Sequence, residues 1–322
     1  MTKGPPDTVS PSPKPVVFVE LHSDADALRI GPDALCPLES AFPQARFEYL
    51  GSFDELSRRI AEPHYVLCWR FPASLYARAK NLRAVFTPAA GHDWVAPDPA
   101  GAVPVSYGSF HGVMIAESLV AMMLHCNDRR TLMMRMQREH RWARNAQMPR
   151  RLLGSQRVLI VGYGRIGFHC ARLLRAFGCE VTGMRRSPLS TADRALGVRG
   201  IGPEALMEEL PQADHVVLLL PGGDETRGFF GERQLAAMRE SAFLYNFGRG
   251  TVVDEDALVG ALRSGAIAGA GLDVFAEEPL PPESPLWDLD NVLITPHSSC
   301  HYVEYGRLFA DEVAGRLRAA LQ

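Results

Sequence analysis

No run of apolar residues in this 322-residue chain approaches the roughly 20 needed to cross a bilayer; the longest candidate is the strand-like HVVLLL at 215–220. The first fifteen residues, MTKGPPDTVSPSPKP, hold five prolines and lack the apolar core of a secretory signal. Positions 1–15 are therefore expected to be a disordered leader, and the chain a cytoplasmic one with no membrane partner. Cysteine is scarce and scattered. The six, at 36, 68, 126, 170, 179 and 300, form no C-x-x-C pair and no cysteine–histidine cluster at zinc spacing. Buried free thiols in a reducing cytosol are expected, with neither disulfides nor metal. An excess of charge of either sign is also lacking. With 34 Lys and Arg against 37 Asp and Glu, the formal net charge is −3, which does not suggest a nucleic-acid partner. What remains, 47% hydrophobic and 22% charged residues, is the composition of an ordinary globular protein of about two domains.

From Pro15 to Tyr107 short apolar runs alternate with helix-like stretches: VVFVEL, ARFEYL, a DELSRRI helix, YVLCW, a SLYARAK helix, RAVFTP and AVPVSY. That rhythm predicts parallel βαβ units in one small α/β domain. From about Val113 some thirty residues carry apolar side chains at helical spacing, which predicts a long helix between domains or subunits. Its methionines at 122, 123, 133, 134 and 136 read as adaptable core or interface filler. The βαβ rhythm then restarts with RVLIVGYGRIG, an ARLLRAFG helix, CEVTGM, a PEALMEEL helix and DHVVLLL. It continues through a GERQLAAMRE helix, AFLYNFG, a DEDALVGALRSG helix, AIAGAGLDV and NVLITPH. Four or more such units predict a doubly wound sheet of roughly 180 residues. The last stretch, YVEYGRLFADEVAGRLRAAL, reads as an amphipathic helix with no strand after it, able to return to the first domain.

Gly162-Tyr163-Gly164-Arg165-Ile166-Gly167 fits G-x-G-x-x-G, after the apolar strand VLIV and at the start of a helix. In that setting two glycines allow a tight turn and close approach to a pyrophosphate. The third lets helix pack on strand, and the helix N-terminus offers free N–H groups to the anion. S-adenosylmethionine-type binding or a plain glycine turn would use the same pattern. About twenty residues on, where an NAD site normally presents Asp or Glu to the ribose, the chain reads Gly183-Met184-Arg185-Arg186-Ser187. Two guanidiniums and a hydroxyl suit a 2′-phosphate, so NADP(H) is favoured over NAD(H); a solvated turn is the plainer reading of the same arginines.

Three polar residues stand at turn or strand-end signals further on: Arg249 in NFGRG, Glu278 in DVFAEEP and His297 in TPH. An Arg fork can clamp a carboxylate, a histidine can trade a proton with a carbonyl or alcohol, and a carboxylate beside a histidine favours its charged form. Singly, each is readily a turn charge or a loop residue. Together with a dinucleotide loop they specify hydride transfer to or from a carboxylate-bearing substrate.

From about Val16 to Leu321 the chain resembles the D-isomer-specific 2-hydroxyacid dehydrogenases. GYGRIG, LLLPGGDETRGFF, YNFGRGTVVDEDAL, GAGLDVFAEEPLP and NVLITPH occur in that family's order. The resemblance implies a Rossmann-type doubly wound parallel sheet, 109–298, inserted into a smaller flavodoxin-like α/β substrate domain, 16–108 with 299–322. It also implies an active site in the cleft between them and a homodimer built through the helical segment 113–148. Carried onto matching positions, Arg249 binds the substrate carboxylate, His297 is the general acid and base, and Glu278 tunes it. Asp273 matches a position contacting the nicotinamide carboxamide, while Pro221 and Thr226 match positions lining the cofactor. Ala90, Gly91 and His92 occupy the family's substrate-carboxylate loop, where His92 replaces a small apolar residue. Ser109-Phe110-His111-Gly112, and Trp69 with Arg70, resemble the glyoxylate and hydroxypyruvate reductase branch; Ser298-Ser299-Cys300-His301 departs from the usual small residues after the histidine.

The expectation is an NADPH-preferring reductase of a small 2-oxoacid such as glyoxylate or hydroxypyruvate, giving the D-2-hydroxyacid where a stereocentre exists. Glu278 disfavours formate dehydrogenase, whose pattern pairs glutamine with histidine. The absence of a further domain after Leu321 disfavours the long phosphoglycerate dehydrogenases. Phosphite dehydrogenase is not separated by motif. A corepressor-like, dinucleotide-dependent binding module of the same fold is the alternative from another class, disfavoured by the lack of a long tail.

Overall fold

The computed structural model describes residues 13–23, 28–91, 94–142 and 151–320; most of the expected leader, 1–12, lies outside them, as does His92. The chain divides into two compact units, Met1–Phe110 with Tyr302–Gln322, and His111–His301.

The first unit holds β1 (Val16–Glu20), α1 (Pro32–Ala41), β2 (Arg46–Tyr49), α2 (Phe53–Arg59), β3 (Tyr65–Cys68), β4 (Ala84–Thr87) and β5 (Val105–Tyr107). The strands form one parallel sheet in the order β2-β1-β3-β4-β5. Strands β3 and β4, YVLC and AVFT, are buried at every residue, as strands covered on both faces must be. The edge strand β2, RFEY, is half exposed. Helix α2 starts where the Ser52 hydroxyl accepts from Glu55 N at 3.3 Å, with Asp54 and Glu55 in its first turn and Arg58 and Arg59 in its last, matching its dipole. The periodicity passed over α1, because Pro37 lies inside it and an interior proline argues against a helix. The stretch read as a SLYARAK helix is a tighter 3-10 turn at Ala73–Arg78. The C-terminal helix Tyr305–Ala320 belongs to this unit, burying Phe309, Val313 and Leu317. Tyr65 Oη donates to Ala320 O at 2.8 Å, and Glu312 accepts from the backbone and hydroxyl of Ser109 at 3.0 Å.

The second unit opens with α3 (Gly112–Asn127) and α4 (Arg130–Arg138). The expectation of one long helix is corrected here. Arg129 takes a left-handed φ of 52°, and the end of α3 is pinned by the Asn127 side chain, which donates to Arg151 O at 2.9 Å and accepts from Gln156 at 2.7 Å. Asn and Asp at 127 and 128 compete with the helix for backbone hydrogen bonds, which a reading of apolar spacing does not register. Residues 143–150 of that stretch lie outside the described residues.

There follow β6 (Arg157–Val161), α5 (Arg165–Phe177), β7 (Glu180–Met184), α6 (Thr191–Ala195), β8 (Arg199–Ile201), α7 (Leu206–Glu209) and β9 (His215–Leu218). Then come α8 (Glu232–Ala237), β10 (Phe243–Asn246), α9 (Glu255–Ser264), β11 (Gly269–Leu272) and β12 (Val292–Ile294); the C-terminal helix is α10. The seven strands are parallel, in the order β12-β11-β10-β9-β6-β7-β8. Alternation splits their side chains between two cores: Leu159, Val161, Val216 and Leu218 face one, and Val158, Ile160, Val217 and Tyr245 face the other, under α3 and α5. Burying each such Val or Leu is worth about 1.5–3 kcal/mol. One register row crosses six strands: Met184, Val161, Leu218, Asn246, Leu272 and Ile294. The chain order reverses between β6 and β9, the switch point at which such sheets bind ligands beyond their carboxyl ends.

Candidate active site

Each cofactor and catalytic residue singled out in the sequence from Gly162 onward lies beyond that register row, on one edge of one sheet. Gly162 follows β6, Arg185 follows β7, Pro221 follows β9, Arg249 follows β10, Asp273 follows β11 and His297 follows β12. Parallel pairing requires this: strands that run the same way in register end together.

At the first of these ends Gly162 has a φ of +90°, and a Cβ there would stand 2.8 Å from the Leu219 carbonyl carbon. The turn is folded back by Tyr163 N, which donates to Met184 O at 2.8 Å. Beneath it the buried Tyr163 donates its hydroxyl to Asp193 Oδ1 at 3.2 Å, and Asp193 caps α6 together with Ser190. Gly164 opens α5 with no atom within 4 Å of where its Cβ would be. The N–H groups of the first turn, at Arg165, Ile166 and Gly167, have no partner within a helix. An open cradle of N–H donors at a helix N-terminus fits a pyrophosphate.

After β7 the guanidinium of Arg185 donates from Nε and Nη2 to Ser187 Oγ at 3.0 and 2.7 Å. Arg186, mostly exposed, pairs with Glu225 at 2.7 Å, and that guanidinium holds the Glu225 carboxyl below its ordinary range. A carboxylate thus reaches this strand end from the segment after β9, where motif spacing gave none. Thr226, beside it, donates its hydroxyl to Pro221 O at 2.7 Å and to Gly223 O at 3.2 Å, closing the turn that carries Pro221 and Glu225.

The polar set beyond β10, β11 and β12 is tightly interlocked. Asn246, buried at the end of β10, accepts from Gly248 N at 3.1 Å and donates to Arg249 O at 3.0 Å, shaping the turn that presents Arg249. A Cβ at Gly250 would overlap the Phe275 carbonyl carbon at 1.8 Å, so the close approach of this turn to the Glu278 loop requires glycine there. Asp273, only 1% exposed, accepts from Thr295 Oγ1 at 2.6 Å, Ser298 N at 3.0 Å and Ser299 N at 3.3 Å. The structure therefore gives Asp273 the work of ordering 295–299. His297 sits inside that turn with a left-handed φ of 50°, its N–H donating to Asp273 O at 2.8 Å. Its Nδ1 lies 2.8 Å from Glu278 Oε2, and Glu278 Oε1 accepts from Phe275 N at 3.0 Å. A carboxylate only accepts, so Nδ1 carries hydrogen and Nε2 is the atom left for proton transfer. Cys300 is inert, because burial, with Asp273 adding to it, pushes its thiol up to about 12.

Thr295, Asn246 and Glu225 were not singled out in the sequence; only their positions within the TPH, NFGRG and GGDETRG segments could have signalled them. In the other unit Ala90 and Gly91 follow β4, where the buried Thr87 hydroxyl accepts from Ala89 N at 3.2 Å. Trp69 stacks on Tyr305 at 6.1 Å, and Arg70 lies over the Phe53 ring at 4.8 Å. Among the described residues no group of His, Cys, Asp and Glu is arranged to hold a metal, and no helix is long and apolar enough to cross a membrane.

Known proteins resemble this chain in sequence and in fold. A family described as "D-isomer specific 2-hydroxyacid dehydrogenase, NAD binding domain" matches residues 120–299. The glyoxylate reductase of Korarchaeum cryptofilum is 35% identical over 254 residues, covering 77% of this chain and 75% of its own. A D-isomer-specific 2-hydroxyacid dehydrogenase from Xanthobacter autotrophicus, solved with NADPH and MES, superposes with a TM-score of 0.79 at 34% identity over 95% of each chain. An NADPH-dependent glyoxylate/hydroxypyruvate reductase from Sinorhizobium meliloti, solved with NADP and sulfate, gives 0.77 at 28% identity over 96% of each. The glycine cradle and the Arg249, Glu278 and His297 turns thus stand in a chain that belongs to the D-isomer-specific 2-hydroxyacid dehydrogenase family.

Proposed function

We propose that this protein reduces a small 2-oxoacid of the glyoxylate or hydroxypyruvate type to the 2-hydroxyacid, the D-isomer where a stereocentre exists, drawing on NADPH in preference to NADH. The observation that carries the reading is the meeting, on one sheet edge, of a dinucleotide cradle with a histidine whose Nδ1 is held by Glu278 at 2.8 Å. The bound dinucleotide supplies the hydride for the carbonyl carbon. Arg249 binds the substrate carboxylate through its guanidinium fork and polarises the neighbouring carbonyl. His297, fixed by Glu278 and by the Asp273 turn, delivers a proton from Nε2 to the carbonyl oxygen and takes it back in the reverse direction. Arg185, Arg186 and Ser187 hold the 2′-phosphate, and this donor set supports the NADPH preference, as do the NADP-bound relatives.

The reading places the enzyme in the cytosol, as a homodimer through the 113–148 segment. The test is steady-state oxidation of NADPH and NADH with glyoxylate, hydroxypyruvate, pyruvate and phenylpyruvate in parallel. Turnover of glyoxylate and hydroxypyruvate with NADPH is expected. Equal turnover with NADH overturns the cofactor preference, and no turnover in protein that binds dinucleotide overturns the activity.

A further inference from the structure

The Arg186–Glu225 ion pair joins two segments 39 residues apart, one following β7 and the other following β9. Both side chains are nearly four-fifths exposed, so the pair adds little to stability. Its place is what matters. Arg186 is one of the two guanidiniums at the strand end where a dinucleotide's adenosine ribose is recognised. The other, Arg185, hydrogen-bonds the neutral Ser187 hydroxyl and meets the nearest carboxylate, Asp193, only through its field and not in a direct ion pair. Arg186 differs, because its charge is neutralised by a carboxylate 2.7 Å away.

We propose that Glu225 sets the cofactor discrimination of this enzyme by competing with the 2′-phosphate for Arg186; the proposal rests on the NADPH reading above. A phosphate bound to Arg186 must displace Glu225 or accept it as a close like charge. Either way the penalty falls on the phosphorylated cofactor alone, since a free 2′-hydroxyl has no charge to repel and can donate a hydrogen bond to a carboxylate. Glu225 therefore lowers NADPH affinity toward that of NADH, leaving an enzyme less strict than two arginines by themselves would make it. For an exposed pair in water, removal of the carboxylate is expected to tighten NADPH binding about threefold to tenfold. Salt screens the competitor as it screens the arginine, so the gain shrinks at high ionic strength.

The experiment is calorimetric titration of the wild type, Glu225→Gln, Arg186→Gln and the double variant with NADPH, NADH and the fragments 2′,5′-ADP and 5′-AMP. Competition predicts that Glu225→Gln tightens NADPH and 2′,5′-ADP by that factor at low salt and leaves NADH and 5′-AMP within twofold. In the Arg186→Gln background the gain shrinks to what direct repulsion between Glu225 and the phosphate supplies. If Glu225 instead holds Arg186 ready for the phosphate, Glu225→Gln weakens NADPH, and the proposal is overturned. An unchanged NADPH affinity in Glu225→Gln, with Arg186→Gln weakened, overturns it as well. If the wild type binds NADPH and NADH alike and Arg186→Gln changes neither, the cofactor reading fails and the proposal with it.

Discussion

Acidification from pH 7 to pH 5 should loosen the dinucleotide-binding unit, where burial also lowers the pKa of His125 and His169, and the buried His215 should carry a separable share of the loss. The ring lies on β9 with no exposed surface, between Gln156 Oε1 at 3.0 Å from Nε2 and Tyr245 Oη at 3.2 Å from Nδ1. A neutral ring satisfies both contacts, donating to the amide oxygen and accepting from the phenol. Burial, partly offset by Asp214, pushes its pKa down from 6.5 to about 4. The unfolded chain therefore binds a proton between pH 6.5 and 4 that the folded chain refuses, and stability falls as the pH drops through that window. For a folded pKa of about 4 the loss between pH 7 and pH 5 is about 2 kcal/mol, reaching about 3 kcal/mol below pH 4. The neighbouring Asp214 has a pKa lowered from 3.8, so it stays ionised across the window and adds no slope there. Urea unfolding at pH 7, 6 and 5, for the wild type and His215→Gln, isolates the effect, because any fixed cost of the substitution cancels in the pH slope. The wild type should lose about 2 kcal/mol more than the variant over that range. Equal slopes would refute the reasoning, since they would mean that the buried ring is free to charge.

Three further outcomes follow from the active-site geometry. Gly162→Ala places a Cβ 2.8 Å from the Leu219 backbone at a φ of +90°; left-handed strain and crowding together should cost about 2–5 kcal/mol, read as a lower melting temperature and weaker dinucleotide binding, and an unshifted melt would contradict the turn. His297→Asn should lower kcat about 10²- to 10⁴-fold with a much smaller change in KM, whereas Glu278→Gln, which keeps a hydrogen bond in a half-exposed pair, should cost about tenfold; an unchanged kcat in His297→Asn would remove the proton-transfer assignment.

Much of this molecule was legible residue by residue. The runs VLIV, HVVL and FLYN are short, apolar and bounded by turn signals, and each became a buried parallel strand. The G-x-G-x-x-G loop was legible for the same reason, since its requirements are met within six consecutive residues. Helix α1 was not, because Pro37 masks it, nor were the short β8 and α6, which carry too few residues to establish a period. The break at Arg129 was missed because apolar spacing continues across it and the cause is polar. At the site, Arg249 and His297 stood out by residue type. The turns that hold them did not, since Asn246 and Thr295 act through hydrogen bonds whose partners only folding supplies.

By itself, then, the sequence determined the strands, the glycine turn and the chemical inventory of arginine, glutamate and histidine. Periodicity and turn preference are local, and a motif of six residues carries its own geometry. Tertiary structure alone decided what those groups meet. Parallel pairing brings the ends of β7 and β9 to one edge and sets Glu225 against Arg186 across 39 residues. It also places Asp273 under the turn of His297, and buries His215 between side chains 30 and 59 residues away in the sequence. Such contacts depend on the order in which strands assemble, and no short stretch of the chain encodes that order.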